Sequence, residues 1–350
     1  MKKLLILDSN SILNRTFYGI RFLSASDGTP TNAIYGFLTI LFKLIADEKP
    51  DYICGAFDLK APTFRHKMYD QYKAGRKPMP DDLKVQMPYS REILKAMGIP
   101  VLELEGYEAD DIIGTVSRIC DESDVKCLIV TGDKDDLQLV SENTNVLLTV
   151  SRMGTSETTC YTPAEVFEKY NVTPTEFIDL KAIMGDSSDN IPGVHGIGEK
   201  GAMKLISEYH SIEELYEKLD ESDIKGATLK KLTEGKESAF MSKKLATIFR
   251  EVPVEFDFEK CAFNPDELPS KTEFTELLKK LELNSFLKKM GAEKKNAEDF
   301  FKKMKKADSV LDLDGALACV LDFSENTLCG AALSDGKKVY SAYGSENVGL

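Results

Sequence analysis

The chain has 350 residues, of which 42% are hydrophobic, and a formal net charge of −13. This length allows two domains with a large core, and this composition excludes a disordered chain. The seven cysteines include no C-x-x-C pair, which argues against a disulfide framework and a zinc ribbon. Asp8 ends the first apolar run too early for a signal peptide, and no stretch approaches the roughly 18 apolar residues of a membrane span. We therefore expect a soluble, cytoplasmic protein without a membrane partner.

Three short apolar runs predict buried parallel strands, and each ends at an acid. The runs are Leu4–Leu7 before Asp8, Tyr52–Phe57 before Asp58, and Cys127–Thr131 before Asp133 and Asp135. Helical spacing over residues 12–17 and 33–46 separates the first two runs, and alternating strands and helices predict an α/β fold with a mostly parallel sheet flanked by helices. Because ligands of such sheets bind outside the carboxyl ends of the strands, we expect these acids to converge on one edge. Taken singly, each acid could equally be a turn residue or a helix cap.

Two further acidic segments join this set. Glu108, Asp110 and Asp111 come just before an apolar helical pattern, where acids also cap helices in the ordinary way. Asp186 and Asp189 lie in a polar turn that could equally cap a helix.

Nine carboxylates in one cleft would repel each other by about 4 kcal/mol for each pair roughly 4 Å apart, so a cation must lie among them. The three histidines are His66, His195 and His210, and none lies beside these acids in the sequence. An oxygen-only set selects Mg²⁺, with Mn²⁺ as a substitute, and disfavours zinc. Carboxylate-held ion pairs suit phosphodiester hydrolysis.

The segment from Lys60 to Lys95 is basic within an acidic chain, with nine lysines and arginines against four acids. Tyr69 and Tyr72 are interleaved with these cations, a pattern that suits a single strand of nucleic acid. A solvated helix with buried tyrosines is the alternative interpretation.

Gly196, Gly198 and Gly201 match the spacing G-x-G-x-x-G, but they follow a polar turn and not a strand, so a Rossmann site is disfavoured. A tight hairpin leading into a helix near Glu199 would instead direct backbone N–H groups at a phosphate. A plain turn between two helices is the alternative interpretation.

Together these motifs resemble the flap endonuclease family, and within it the 5′ nuclease domain of bacterial DNA polymerase I, over about residues 1–290. The specific tracts are YKAGR, GYEADD, TGDKDD and GDSSDNIPGVHGIGEK. The resemblance implies a structure-specific 5′-3′ exonuclease or flap endonuclease that acts on DNA with a 5′ flap, nick or RNA primer in replication and repair. It also implies a monomer that uses two or more Mg²⁺ ions. A helical arch in the nuclease domain and a helix-hairpin-helix subdomain complete the implied fold.

Position by position, the resemblance implies that nine acids form the metal site. Those nearer one ion are Asp8, Asp58, Glu108, Asp110 and Asp111. Those nearer the other ion are Asp133, Asp135, Asp186 and Asp189. It implies that Lys73 and Arg76 belong to the basic arch and that Arg15 lies near the scissile phosphate. The expected DNA contacts are Arg65, Tyr72 and Lys77 in the arch region, and Gly193, Gly196, Gly198 and Lys200 in the hairpin, which family members often use with a K⁺ ion.

The expected organisation is a catalytic core at residues 1–175 with its arch at about 60–95, a helix-hairpin-helix subdomain at 176–290, a linker at 291–307 and an incomplete exonuclease-like α/β domain at 308–350. Strand-like runs over residues 317–344 with a turn at Asp335 and Gly336 suggest the last of these. Asp322-Phe323-Ser324 lacks the second acid of an Asp-x-Glu pair, so that domain would be inactive.

We expect the chain to be part of DNA polymerase I. The alternatives are a stand-alone 5′-3′ exonuclease without a polymerase domain and a non-catalytic DNA-binding scaffold. A phosphohydrolase for small phosphate esters is disfavoured, because Asp8-Ser9-Asn10 lacks the nucleophilic Asp-x-Asp that such an enzyme needs.

Overall fold

The structure, a computed structural model, describes residues 1–152, 155–290, 318–324, 327–334 and 339–343. It divides the chain into two compact units, Met1–Pro265 and Asp266–Leu350.

The first unit contains a six-stranded sheet in the order β3-β2-β1-β4-β5-β6. Its strands are β1 (Lys3–Asp8), β2 (Tyr52–Ala56), β3 (Val101–Leu102), β4 (Lys126–Thr131), β5 (Thr144–Arg152) and β6 (Thr155–Tyr161). The first five strands are parallel to their neighbours, and β6 pairs antiparallel with β5. Strand β1 lies between β2 and β4, which explains its unbroken apolar sequence. The mostly parallel α/β sheet is confirmed.

Six helices accompany this sheet in the described part of the chain: α1 (Ser9–Gly19), α2 (Asn32–Glu48), α3 (Phe64–Met68), α4 (Asp81–Ala96), α5 (Ala109–Glu122) and α6 (Pro163–Tyr170). Helix α5 packs its Ile112, Ile113 and Val116 into the same core as Ile6 of β1 and Ile129 of β4. Each such buried side chain contributes about 1.5–3 kcal/mol. That packing holds the first turn of α5 at the carboxyl ends of the strands.

The start of α5 is fixed by its own acids. Gly106 has a φ of +90°, which L side chains rarely adopt, and it breaks the chain direction before the helix. Glu108 is the N-cap residue, and its N–H donates to Asp111 Oδ2 over 3.1 Å. The acidic turn is therefore a capping structure as well as a cluster of carboxylates.

Four more helices follow in the first unit: α7 (Phe177–Met184), α8 (Glu199–Tyr209), α9 (Ile212–Glu217) and α10 (Gly226–Ala246). Between α7 and α8, Asp186 and Ile191 exchange two backbone hydrogen bonds of 2.7 and 2.8 Å. Gly185 and Gly193 both have positive φ, and a Cβ on Gly193 would lie 2.4 Å from the Gly185 nitrogen. Only glycines allow this backbone approach, which closes the predicted hairpin between the two helices.

The second unit contains α11 (Thr272–Lys280), α12 (Asn284–Lys289) and an antiparallel sheet of β7 (Ala318–Ser324), β8 (Thr327–Ser334) and β9 (Val339–Tyr343). These strands occupy the stretch expected to be strand-like. The linker expected at 291–307 and the turn at Asp335 and Gly336 lie outside the described residues. Within the described ranges, no helix is both long enough and apolar enough to cross a bilayer.

Candidate active site

A cavity of about 640 Å³ opens at the carboxyl ends of β1, β2 and β4. Its lining includes five of the predicted acids: Asp8, Asp58, Glu108, Asp110 and Asp133. It also includes four basic residues: Arg15, Lys73, Arg76 and Lys77. The parallel sheet thus brings the strand-end acids and the first turn of α5 to one place, together with basic residues expected to meet phosphate.

Asp8 lies at the centre of the floor of this cavity. Its carboxylate accepts the Thr131 hydroxyl over 2.7 Å and the Ser11 N–H over 3.1 Å. Burial raises the pKa of Asp8 to about 7, against the lowering effect of these two donors and with help from Asp58 and Asp133. The carboxyl group therefore carries a proton readily until a positive charge comes close.

Asp58 connects the end of β2 to α5. Its Oδ1 accepts the N–H of Ala109 over 2.9 Å. This bond satisfies one of the free N–H groups at the helix start and fixes the carboxylate beside Asp110.

Among the described residues, Asp8, Asp110 and Asp136 form an acidic cluster in which one carboxylate oxygen from each residue lies within 4.8 Å of the other two. Burial and the neighbouring carboxylates raise the pKa of Asp110 and of Asp136 well above the ordinary range. The sequence analysis missed Asp136. Asp136 lies in the first turn of a 3₁₀ helix, Asp135–Leu139, and no local sequence pattern separates it from an ordinary first-turn acid.

The residues expected in the arch contact the acids directly. The Lys73 ammonium lies 2.8 Å from Glu108 Oε1 and 3.7 Å from Asp189 Oδ2. Arg76 donates to Asp189 through Nε over 3.1 Å and again through Nη2. Tyr72 is buried and donates its hydroxyl to Glu108 Oε2 over 3.1 Å, so its ring does not face solvent as a stacking surface. These cations offset the repulsion among the acids.

Arg65 and Asp111 lie behind the cavity in the protein interior. The Arg65 side chain is 2% exposed and contacts both Asp111 oxygens, and it also donates to the carbonyls of Leu245 and Thr247. Asp111 additionally accepts the N–H of Phe249 over 2.9 Å. The structure therefore places Arg65 away from any DNA-facing surface, and the Asp111 carboxylate is already fully hydrogen-bonded.

Asp135 and Asp186 lie on either side of the buried Lys181 ammonium, at 2.6 and 2.5 Å. Burial would raise the pKa of Asp186, but Lys181 and the donors of Ser188 outweigh it and bring that pKa to about 2. The sequence analysis missed Lys181, because a lysine in the apolar helix α7 gives no sign of its partners.

Arg15 and Lys77 are the other basic residues that line the cavity. Arg15 Nη2 donates to the Gly132 carbonyl over 2.5 Å, and Lys77 is exposed. Lys77 is open to an anion entering the cavity, and Arg15 can meet one through the N–H groups that Gly132 does not use.

The hairpin residues lie outside the lining of this cavity. Gly193 donates its N–H to Ser242 Oγ of α10 over 2.9 Å and is buried there. Gly198 is the N-cap of α8, Lys200 is exposed in its first turn, and the Gly196 carbonyl accepts the Lys231 ammonium over 2.9 Å. Gly196, Gly198 and Lys231 line a second cavity of about 630 Å³.

The described acids fit a divalent metal ion. All donors of the Asp8, Asp110 and Asp136 cluster are oxygen atoms, the donor type that hard ions such as Mg²⁺ prefer. Among the described residues, neither Asp136 oxygen has a hydrogen-bond partner although both are buried, and a bound cation would satisfy them.

Comparison with known proteins places this site in a family. Residues 3–171 match the N-terminal resolvase-like domain of 5′-3′ exonucleases, and residues 172–268 match their C-terminal SAM fold. The chain therefore belongs to the 5′-3′ exonuclease family.

Its relatives include DNA polymerase I of Caldicellulosiruptor bescii, 45% identical over 289 residues that cover 83% of this chain and 33% of that protein. DNA polymerase I of Bacillus subtilis is 44% identical over 301 residues, which cover 85% of this chain and 33% of that protein. The chain thus spans about a third of the length of these relatives.

Among solved structures, a flap endonuclease of bacteriophage T5 in a pseudo-enzyme-product complex with DNA and metal ions superposes with a TM-score of 0.57. It is 19% identical, and the match covers 80% of this chain and 100% of that one. The likeness shows that the two share a fold.

Proposed function

We propose that this chain is a divalent-metal-dependent, structure-specific nuclease that hydrolyses phosphodiester bonds from the 5′ side, removing 5′ flaps and RNA primers in DNA replication and repair. The observation that carries the proposal is the cavity at the strand ends, which both acids and cations line. Hydrolysis of a phosphodiester needs both acids and cations, because the acids hold metal ions and the cations neutralise the charge of the phosphate.

Bound Mg²⁺, or Mn²⁺ in its place, would supply an activated water and stabilise the charge on the leaving oxygen. Asp8, Asp58, Asp110 and Asp133 would hold the ions at the cavity floor, and Glu108 would join them once Lys73 moves from its carboxylate to phosphate. Arg15 and Arg76 would orient the scissile phosphate in the cavity. Asp135, Asp186 and Asp189 would face a second ion through water, while Lys181, Lys73 and Arg76 offset part of their charge.

The hairpin between α7 and α8 supports a DNA partner. Gly198 leaves the free N–H groups of the first turn of α8 accessible, and Lys200 adds a positive charge there. A duplex phosphate would bind at this helix start while the 5′ strand enters the cavity. A K⁺ ion at the hairpin would compete with the Lys231 ammonium for the Gly196 carbonyl.

We further propose that the chain corresponds to the N-terminal part of a DNA polymerase I, which the identity to two such enzymes supports. We also propose that it acts as a monomer in the cytoplasm. The five described cysteines are free thiols, in agreement with a reducing compartment.

The test is cleavage of a 5′-labelled flap duplex in Mg²⁺, with single-stranded DNA, blunt duplex and p-nitrophenyl phosphate as competing substrates. We expect the flap to be cut near its junction, cutting to stop in EDTA, and the phosphate ester to remain intact. Cutting that persists in EDTA would contradict the metal mechanism. Tight flap binding without turnover in Mg²⁺ would support a non-catalytic scaffold instead.

A further inference from the structure

Within the described part of the chain, Asp136 is a buried acid of the site whose carboxylate has no hydrogen-bond partner. Its side chain is 0% exposed, and neither Oδ1 nor Oδ2 has a hydrogen-bond partner among the described residues. An ionised carboxylate without a partner is very costly to bury. Asp136 therefore requires either a proton or a cation.

The surrounding groups already have other partners. The Thr131 hydroxyl donates its proton to Asp8 over 2.7 Å and accepts the Asp133 N–H over 2.9 Å, so it has no proton left for Asp136. Lys181 contacts Asp135 and Asp186.

The two cations near the start of α5 also have carboxylate partners. Arg65 contacts Asp111, and Lys73 contacts Glu108. Among the residues described here, the close neighbours left for Asp136 are the carboxylates of Asp8 and Asp110.

We propose that Asp136 is a metal ligand, binding a divalent ion together with Asp8 and Asp110. The inference rests on the proposed function and adds a ligand to the nine acids that the sequence indicated. Oxygen ligands lie about 2.0–2.6 Å from Mg²⁺ or Ca²⁺, so two of them on one ion are at most about 4–5 Å apart. One carboxylate oxygen from each of Asp8, Asp110 and Asp136 lies within 4.8 Å of the other two, so one ion can contact all three residues after small side-chain rotations.

The competing explanation is that Asp136 is permanently protonated and only fills space. The two explanations differ in what happens when the carboxylate is removed without changing its shape. A ligand variant loses metal affinity but no metal-free stability, because without an ion the Asp136 side chain makes no stabilising polar contact with the described residues. A space-filling acid leaves metal affinity unchanged.

The experiment is isothermal titration calorimetry with Mn²⁺, without DNA, on the full chain and on D136N, D136L, D110N and D47N. Asp47 is exposed in the last turn of α2 and provides the matched control. Melting temperature with and without Mn²⁺ is the second readout.

We expect D136N and D136L to bind Mn²⁺ at least about tenfold more weakly than the parent. Mn²⁺ should raise their melting temperatures less than it raises that of the parent. In EDTA their melting temperatures should be no lower than that of the parent. D47N should match the parent in both readouts. If the Asn variant fails to fold, the Leu variant, which replaces the charge with an apolar group, gives the answer.

Parental Mn²⁺ affinity in D136N or D136L, alongside weakened binding in D110N, would overturn this inference and leave the proposed function standing. Parental affinity in all the variants, D110N included, would instead show that the acidic cluster is no metal site, and the proposed function would fail with it.

Discussion

Arg65 and Asp111 meet in the protein interior as a two-point ion pair, with Nη1···Oδ2 and Nη2···Oδ1 distances both of 2.8 Å. The pair joins three parts of the chain, because Arg65 belongs to α3, Asp111 to α5, and the Leu245 carbonyl that Arg65 also contacts to α10. It therefore connects the first helix of the basic segment to the acidic turn.

Replacing Arg65 by methionine should lower the free energy of unfolding by about 3 to 5 kcal/mol, because Asp111 would keep a buried charge without its cation. Urea denaturation would measure this loss. Lys67→Met, on the exposed side of the same helix, is the control and should stay within about 0.5 kcal/mol of the parent. Unchanged stability together with weaker DNA binding in R65M would restore the DNA-contact role that the sequence suggested.

Lys73→Met and Arg76→Met should each slow flap cleavage by on the order of 100-fold, because each removes a cation that lines the cavity and would meet the phosphate of a bound strand. Duplex binding should fall much less, since the hairpin between α7 and α8 is untouched. Single-turnover cleavage and duplex-binding titrations would separate the two effects, with exposed Lys95→Met as the control. Equal losses of rate and duplex affinity would mean that these residues only hold DNA.

Asp8 should make the metal-free protein lose stability as pH rises. Its folded pKa of about 7 lies above its ordinary value of 3.8, so the folded state binds more protons than the unfolded state between about pH 4 and 7. The stability that this protonation provides is complete below pH 4 and is lost as pH rises through 7.

Melting temperatures in EDTA at pH 5 and pH 7.5 would test this contribution. The melting temperature of Asp8→Asn should fall less than that of the parent over that pH interval. The asparagine keeps a side-chain oxygen that can accept the Ser11 N–H. An identical decrease in the two proteins would contradict the raised pKa of Asp8.

Gly193→Ala should destabilise the hairpin by at least about 1 to 3 kcal/mol, because φ is +59° and the new Cβ would meet the Gly185 backbone. Duplex affinity should fall with it. Gly75→Ala, whose Cβ would meet nothing within 4 Å, provides the matched control for stability. A G193A protein with parental melting temperature and parental duplex affinity would contradict the role of this close backbone approach.

The strand-end acids were predictable because the rule that places them is local. Asp8, Asp58 and Asp133 each follow a buried apolar run, and parallel strands bring such positions to one edge whatever their distance along the chain. The acidic turn at Glu108 was predictable for the same reason, since an apolar helix pattern follows it directly. Five acids of the predicted set accordingly line the cavity.

The residues that the sequence misplaced or omitted depend on partners far along the chain. Arg65 and Tyr72 have the basic and aromatic pattern of a DNA-binding segment, but both are buried against acids of α5 and the hairpin. Lys181 and Asp136 carry no local pattern, because their roles follow from acids that tertiary packing brings within contact. Strand β3, two residues long, is too short for any periodicity to show.

The central claim is that the acids of this cavity support metal-dependent phosphodiester hydrolysis, and single-turnover cleavage of a 5′-flap duplex by D110N tests it most directly. Asp110 lines the cavity and has no described basic partner, so its loss removes a metal-facing charge without breaking an ion pair. The account predicts a rate in Mg²⁺ at least about 100-fold below the parent, with D47N within twofold of the parent. Cleavage by D110N at the parental rate, or parental cleavage that EDTA does not reduce, would contradict it.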